Sequence, residues 1–256
     1  METYTGFATV YDMFMDNIPY EEWSKYILKI FDRYNISSGT VVELGCGTGS
    51  MTEILASKGY DMIGVDMSEE MLNIAVEKRD VSGNDILYIN QDMRELELCG
   101  TVDAVISICD SMNYIIEEDD LLKVFSLVNK YLNAGGIFVF DMNTVHKYQD
   151  IGDGIIAENR EEGSFIWENY YDESQMINEY DLTLYIDDGN GKFDRYEETH
   201  FQKAYTVGTV KELIEKSGME FVLAAEAFTG NALSEESDRM YIIARKSDND
   251  RRKEDE

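Results

Sequence analysis

Through the first half of the chain, short apolar runs alternate with stretches whose apolar residues recur every three or four positions. VVEL (41–44) precedes a helical pattern that ends near Lys58, and DMIGVD (61–66) precedes SEEMLNIAVEKR. ILYIN (86–90) follows, then AVISIC (104–109) ahead of EEDDLLKVFSLVNKYL, and IFVFD (137–141) closes the series. Runs that are apolar on both faces predict strands of a parallel sheet covered on two sides by the intervening helices. Ser68 is placed to cap its helix, with acids in the first turn. Pro19 opens EEWSKYILKIFDRY at its first turn, and Gly135-Gly136 is read as the stop of the helix before IFVFD.

After Asp141 the period changes to two. Phe165, Trp167, Asn169 and Tyr171 fall on one face of a strand, and Met176, Tyr180, Leu182, Leu184 and Ile186 share a face of the next. DDGNG (187–191) between them and a further run is a hairpin signal. The expectation is three or four antiparallel strands inserted into the α/β unit. A helix, VGTVKELIEKSG (207–218), and two strands, FVLAAEAF and MYIIARK, then complete that unit. The domain reading is a doubly wound α/β domain over 1–150 and 206–246, an antiparallel β lid over 151–205, and a disordered polar tail over 247–256.

Composition narrows the partners. The formal charge is -30, from 52 acids against 22 bases, which disfavours nucleic-acid phosphate and anionic membranes. No run approaches membrane-span length, and the N-terminus lacks the basic start of a secretory signal. Cys46, Cys99 and Cys109 show no framework spacing, so a reducing, cytoplasmic setting is expected. With two histidines and three scattered cysteines, no metal site is expected. A monomer or a homodimer through an exposed sheet edge fits the pattern.

Candidate chemistry gathers at the strand ends. Gly45, Gly47 and Gly49 lie between the first strand and its helix, where glycine allows a tight turn and close approach of a ligand. The spacing is G-x-G-x-G, not the G-x-G-x-x-G of dinucleotide sites. Glu43, Asp66, Asp92, Asp110 and Asp141 stand at or just after successive strands, where open α/β sheets bind their ligands. An acidic crevice without Lys or Arg in its loop repels a pyrophosphate and suits a ligand bearing an amine, ribose hydroxyls and a sulfonium.

ELGCGTG (43–49), GVDMS (64–68) and NQDM (90–93) resemble motif I and its successors in class I S-adenosylmethionine-dependent methyltransferases, in order and spacing, over about Thr40 to Thr144. The resemblance implies a Rossmann-like sheet of seven strands in the order 3-2-1-4-5-7-6, with S-adenosyl-L-methionine as cofactor and S-adenosyl-L-homocysteine as product. It implies that the backbone at Gly45, Cys46 and Gly47 lies along the methionine part and that Asp66 takes both ribose hydroxyls. Met67 would pack on the adenine face, Asp92 would accept from the adenine amine near the Met93 amide, and Cys109 would lie beside the sulfonium. FATVYDMFMDNIPYEEW (7–23), WENYYDE (167–173) and RYEETH (195–200) are similar to segments of bacterial small-molecule methyltransferases with a β insertion after strand five, laid out like sugar N,N-dimethyltransferases. By that analogy Tyr11 and Trp23 close over the cofactor.

The function expected is methyl transfer by in-line displacement to N or O of a small molecule. The sulfonium already activates the methyl group, so alignment is the protein's chief task and can supply on the order of 7–11 kcal/mol. Tyr11, Asp110 and His200 are the candidates for a base, should the nucleophile arrive protonated. The insertion's rings, among them Phe165, Trp167, Tyr170, Tyr171, Tyr180, Tyr185 and Tyr196, are expected over an acceptor pocket. Alternatives are a non-catalytic cofactor-binding sensor or assembly module, a nucleotide-cofactor oxidoreductase, and an RNA methyltransferase. CDSMNY (109–114) stands where a nucleic-acid enzyme of this kind carries an N/D-P-P-Y-type motif. A fluorescence titration with NADH should therefore show no saturable binding, whereas the same protein should bind S-adenosylmethionine in the micromolar range.

Overall fold

The computed structural model describes residues 8–161 and 163–247; the tail expected beyond that lies outside the described residues. The chain begins with helices α1 (Ala8–Phe14) and α2 (Tyr20–Arg33) and then alternates: β1 (Thr40–Leu44), α3 (Ser50–Ser57), β2 (Asp61–Asp66), α4 (Glu69–Ser82), β3 (Ile86–Asn90), β4 (Val102–Ser107), α5 (Glu118–Tyr131) and β5 (Leu132–Asn143). A short helix, α6 (Val145–Ile151), leads into β6 (Ile155–Asn159), β7 (Gly163–Asp172), β8 (Ile177–Asp187) and β9 (Phe193–Lys203). The chain ends with α7 (Val207–Lys216), β10 (Met219–Glu226) and β11 (Arg239–Lys246).

Seven strands form the main sheet in the order β3-β2-β1-β4-β5-β11-β10. This is the expected order, with β10 and β11 as its sixth and seventh strands. The pairs from β3 to β5 are parallel, and β11 enters antiparallel between β5 and β10. Alternate residues of each strand feed two cores. Val42, Val105, Phe138 and Phe140 pack against Val124, Phe125 and Val128 of α5 and Val210 and Ile214 of α7. On the other face Val41, Ile106, Val139 and Ile243 pack against Ile27, Ile30 and Phe31 of α2 and Met51 and Leu55 of α3.

The local signals mostly act as read. The Ser68 hydroxyl accepts from the Met71 amide at 3.2 Å and caps α4, and Pro19 directly precedes α2. The glycine stop is a correction. Helix α5 ends at Tyr131, and Gly135 and Gly136 lie inside β5. The register of β4 with β5 shifts between Val102 and Ala104 at this point. Gly135 takes φ 80° there, so the pair serves a strand irregularity.

The insertion is a four-stranded antiparallel sheet, β6-β7-β8-β9. Asp187–Phe193 closes the β8–β9 hairpin with Gly189 and Gly191 at positive φ, the geometry DDGNG demands. Phe165, Leu182 and Leu184 on its inner face pack against Val10 and Phe14 of α1. Arg160 pairs with Asp16 at 2.8 Å and donates to the Met13 carbonyl. The N-terminal helix is thus wedged between the insertion and α4.

Phe31 is fully buried, and Val81 is 90% exposed. Phe31→Ala should lower the unfolding free energy in urea by about 3–5 kcal/mol, and Val81→Ala should leave it within about 0.5 kcal/mol.

Candidate active site

The turns after β1, β2 and β4 meet at the carboxyl edge of the main sheet and enclose one cleft. Gly45, Gly47 and Gly49 all take positive φ, of 68°, 53° and 76°, which is why three glycines stand there. Crowding adds to this at two of them: a Cβ on Gly45 would meet the Ser111 side chain at 2.6 Å, and one on Gly49 would run into the Tyr88 hydroxyl. Nothing lies within 4 Å of a Cβ on Gly47, so its backbone conformation alone requires glycine. The loop hangs on β2: the Gly45 amide donates to the Val65 carbonyl at 2.8 Å, and the Gly47 amide to Asp66 Oδ2 at 2.8 Å. Asp66 Oδ1 accepts from the Ser68 amide at 2.9 Å. A carboxylate has about four acceptor positions, so Asp66 keeps capacity for a vicinal diol.

The walls are acidic. Glu43 is buried and accepts a short hydrogen bond from the Thr52 hydroxyl. Burial pushes its carboxyl up to about 8, and the neighbouring Asp66 adds to the rise. Asp66 is raised by burial as well, against the pull of its amide donors. Asp92 differs from both. Burial works against its charge, but the Arg94 guanidinium outweighs it and holds the carboxyl below its ordinary range. Arg94 Nη2 lies 2.5 Å from Asp92 Oδ2 and Nη1 lies 3.3 Å from Asp120. The sequence reading missed Arg94, although an acid and an arginine two residues apart at a strand end is a signal for such a pair.

The residues expected around the cofactor converge, with one exception. Tyr11, Glu43, Gly45, Cys46, Gly47, Asp66, Met67, Asp92, Met93 and Cys109 all line the cleft. Met67 is 64% exposed at the rim. Trp23 lies outside the lining: its ring stacks on Phe228 with centroids 4.1 Å apart, so ordinary packing claims it. Tyr20, one turn earlier on the same helix, lines the cleft in its place, and its hydroxyl is 3.8 Å from the Cys109 thiol. Tyr114 is a further lining ring that the sequence reading did not single out.

The three candidates for a base part company. Tyr11 faces the cleft, with its phenol raised by burial and by nearby Tyr20. Asp110 is absent from the lining and is held by Arg239 and Gln202. His200 is 3% exposed, with Nε2 3.2 Å from Glu198 and its ring edge-on to Tyr114. Asp141 is fully buried, raised to about 6 by burial against the opposing charge of Arg239. The insertion's rings, expected over an acceptor pocket, do not line this cleft. Phe165 meets Phe14 at 4.9 Å, Trp167 meets Tyr180, and Tyr170 and Tyr196 are exposed.

Glu43 sets a pH dependence. Its native pKa lies above the unfolded value, so the native state holds the extra proton and stability falls as pH rises through about 8. Glu43→Gln should remove that fall. Urea unfolding between pH 5 and 8.5 should show the wild type losing on the order of a few kcal/mol more than the variant across the range.

Comparison with known proteins agrees with this geometry. Residues 41–136 match the family model described as a methyltransferase domain. The chain is 34% identical over 246 residues to a putative methyltransferase, YqeM, of Bacillus subtilis, covering 95% of this chain and 97% of that protein. Its structure superposes on a S-adenosylmethionine-dependent methyltransferase from Clostridium acetobutylicum with TM-score 0.86 and 26% identity, over 96% of this chain and 100% of that one. The sugar N-methyltransferase KedS8 from a Streptoalloteichus species shares the fold, with TM-score 0.76 and 16% identity over 93% of each chain. A glycine loop tied to an acid on the next strand, on this sheet order and with these relatives, makes the chain a member of the class I S-adenosylmethionine-dependent methyltransferases.

Proposed function

We propose that the protein transfers the methyl group of S-adenosylmethionine to a nitrogen or oxygen of a small molecule, with residues 151–205 forming a lid at the methyl end of the cleft. The observation that carries this reading is the placement of the insertion. Its strand β9 reaches Asp110 through Gln202, and Asp110 directly follows cleft-lining Cys109. The formal charge of -30 argues against a nucleic-acid acceptor. The fold shared with a protein named as a sugar N-methyltransferase supports a small acceptor.

The residues that would hold the cofactor fit its parts. Asp66 has acceptor capacity for the ribose hydroxyls, and the Gly45–Gly47 backbone is open to the methionine part. When bound, the sulfonium supplies an already activated methyl group. The chain's own residues then orient the acceptor and keep water away.

The phenols and the thiol of the cleft are not poised to take a proton near neutrality, and Glu43, raised to about 8, is buried and already accepts the Thr52 hydroxyl. Burial raises the Tyr11 and Tyr20 phenols and the Cys109 thiol above their ordinary values. Asp110 is tied up by two partners. This favours an amine nitrogen that arrives neutral, attacks with its own lone pair and afterwards sheds its proton to solvent, over a hydroxyl that must be deprotonated first.

Calorimetry with S-adenosylhomocysteine should show Asp66→Ala weakening binding at least about tenfold, roughly one lost charge-assisted diol contact. Incubation with methyl-labelled S-adenosylmethionine and fractionated small metabolites should place the label on an amine-bearing compound. Absence of any labelled product across metabolite, RNA and protein fractions would instead indicate a binding module without catalysis.

A further inference from the structure

Two non-glycine residues in succession, Cys109 and Asp110, have positive φ, of 63° and 51°. L side chains rarely take this conformation, and two together persist only where surrounding contacts enforce it. These residues form the turn after β4, and Cys109 lines the cleft. The contacts that hold the turn centre on Arg239, with Asp141 and Gln202 beside it. Arg239, at the start of β11, donates from Nη2 to Asp110 Oδ1 at 2.6 Å and from Nη1 to Asp141 Oδ2. The same Asp141 oxygen accepts the Asp110 backbone amide at 3.2 Å. The guanidinium also lies over the Trp23 ring, 5.7 Å from its centroid.

The second oxygen of Asp110 faces the insertion. It accepts from Gln202 Nε2 at 2.7 Å, and Gln202 Oε1 accepts from the Tyr148 hydroxyl at 2.8 Å. Gln202 is 1% exposed. Three residues beyond Asp110, Asn113 repeats the tie: its Nδ2 donates to the Lys203 carbonyl at 2.8 Å, and its Oδ1 accepts from the Asn143 amide at 2.9 Å. The turn after β4 is therefore gripped on one side by the main sheet and on the other by the last strand of the insertion.

We propose that Arg239 is a positioning residue for methyl transfer: by bridging Asp110 and Asp141 it holds the Cys109–Asp110 turn against the methyl end of the cofactor, and through Asp110 and Gln202 it fixes the insertion over that end. A lysine cannot reproduce this role, because the planar fork addresses two carboxylates at once. Two carboxylates and one guanidinium leave a single negative charge beside Cys109, complementary to a sulfonium. Gln202 makes the arrangement sensitive to the insertion: displacing β9 frees an Asp110 oxygen and loosens the turn. The inference rests on S-adenosylmethionine lying with its sulfonium toward Cys109.

The test needs no knowledge of the acceptor. S-adenosylmethionine labelled with carbon-13 in its methyl group is bound to the full-length protein, and the methyl resonance is recorded by NMR for wild type, Arg239→Met, Arg239→Lys and Gln202→Leu. Thermal melts confirm that each is folded. The wild-type bound resonance should be displaced from that of free cofactor. Arg239→Met should return it most of the way to the free position, Gln202→Leu should move it in the same direction by less, and Arg239→Lys should recover only part of the wild-type displacement. Wild-type resonance positions in folded Arg239→Lys and Gln202→Leu would overturn the proposal, even if Arg239→Met does not fold. A wild type that binds with an undisplaced methyl resonance would overturn it as well, by refuting the cofactor's orientation. Loss of all binding in the wild type would refute the cofactor reading itself.

Discussion

The hydrogen bond from the Gly47 amide to Asp66 is the contact on which the site depends. It joins the turn after one parallel strand to the end of the next, so loop and acid keep a fixed distance however the ligand moves. The left-handed backbone at Gly45, Gly47 and Gly49 is what points that amide at the carboxylate. The core beneath supplies the rigidity. Val41 and Val42, a few residues before the loop, are both fully buried on opposite faces of the sheet, so neither can shift without disturbing a packed layer. An acid held in place beforehand costs no rearrangement when a ligand arrives.

The electrostatics follow from the same edge. Acids are collected where the strands end, and the protein handles each one differently. Burial raises Glu43, against the Thr52 hydroxyl that favours its charged form. Asp92 is kept charged by Arg94. Asp110 and Asp141 share Arg239. Similar residues at similar strand positions thus end in three states, and their partners decide which. The cleft is consequently less negative than its count of carboxylates suggests.

Local patterns made much of this legible. Alternation and capping located the strands of the main sheet: β1, β4 and β5 are apolar runs buried on both faces, and the edge strands β3 and β10 keep apolar runs although they are partly exposed. The cleft lining was legible too, since Glu43, Asp66 and Asp92 sit at the strand ends where the topology must bring them together. What could not be read depends on distant pairs. Trp23 and Tyr20 both suit a cofactor lid by type; only the presence of Phe228, some two hundred positions later, decides which one faces inward. Arg239 meets Asp110 across 129 positions, and no periodicity announces such a contact. The Gly135-Gly136 pair was misplaced for a related reason: a glycine pair after a helix signals a stop, but here β5 begins three residues earlier to extend its pairing with β4.

The wedge formed by α1 has a bearing on how the chain reaches this structure. Val10 and Phe14 pack on Phe165, Leu182 and Leu184, and Asp16 pairs with Arg160. During synthesis this helix is made well before the insertion; until then Asp12 can pair with Lys78 of α4, but Val10 and Phe14 lack the apolar side chains of β7 and β8. Contacts of such separation close slowly, and a short amphipathic segment is marginal as an isolated helix. Tyr11, which lines the cleft, is carried on this segment. The segment that carries this ring therefore completes its packing only once the insertion exists.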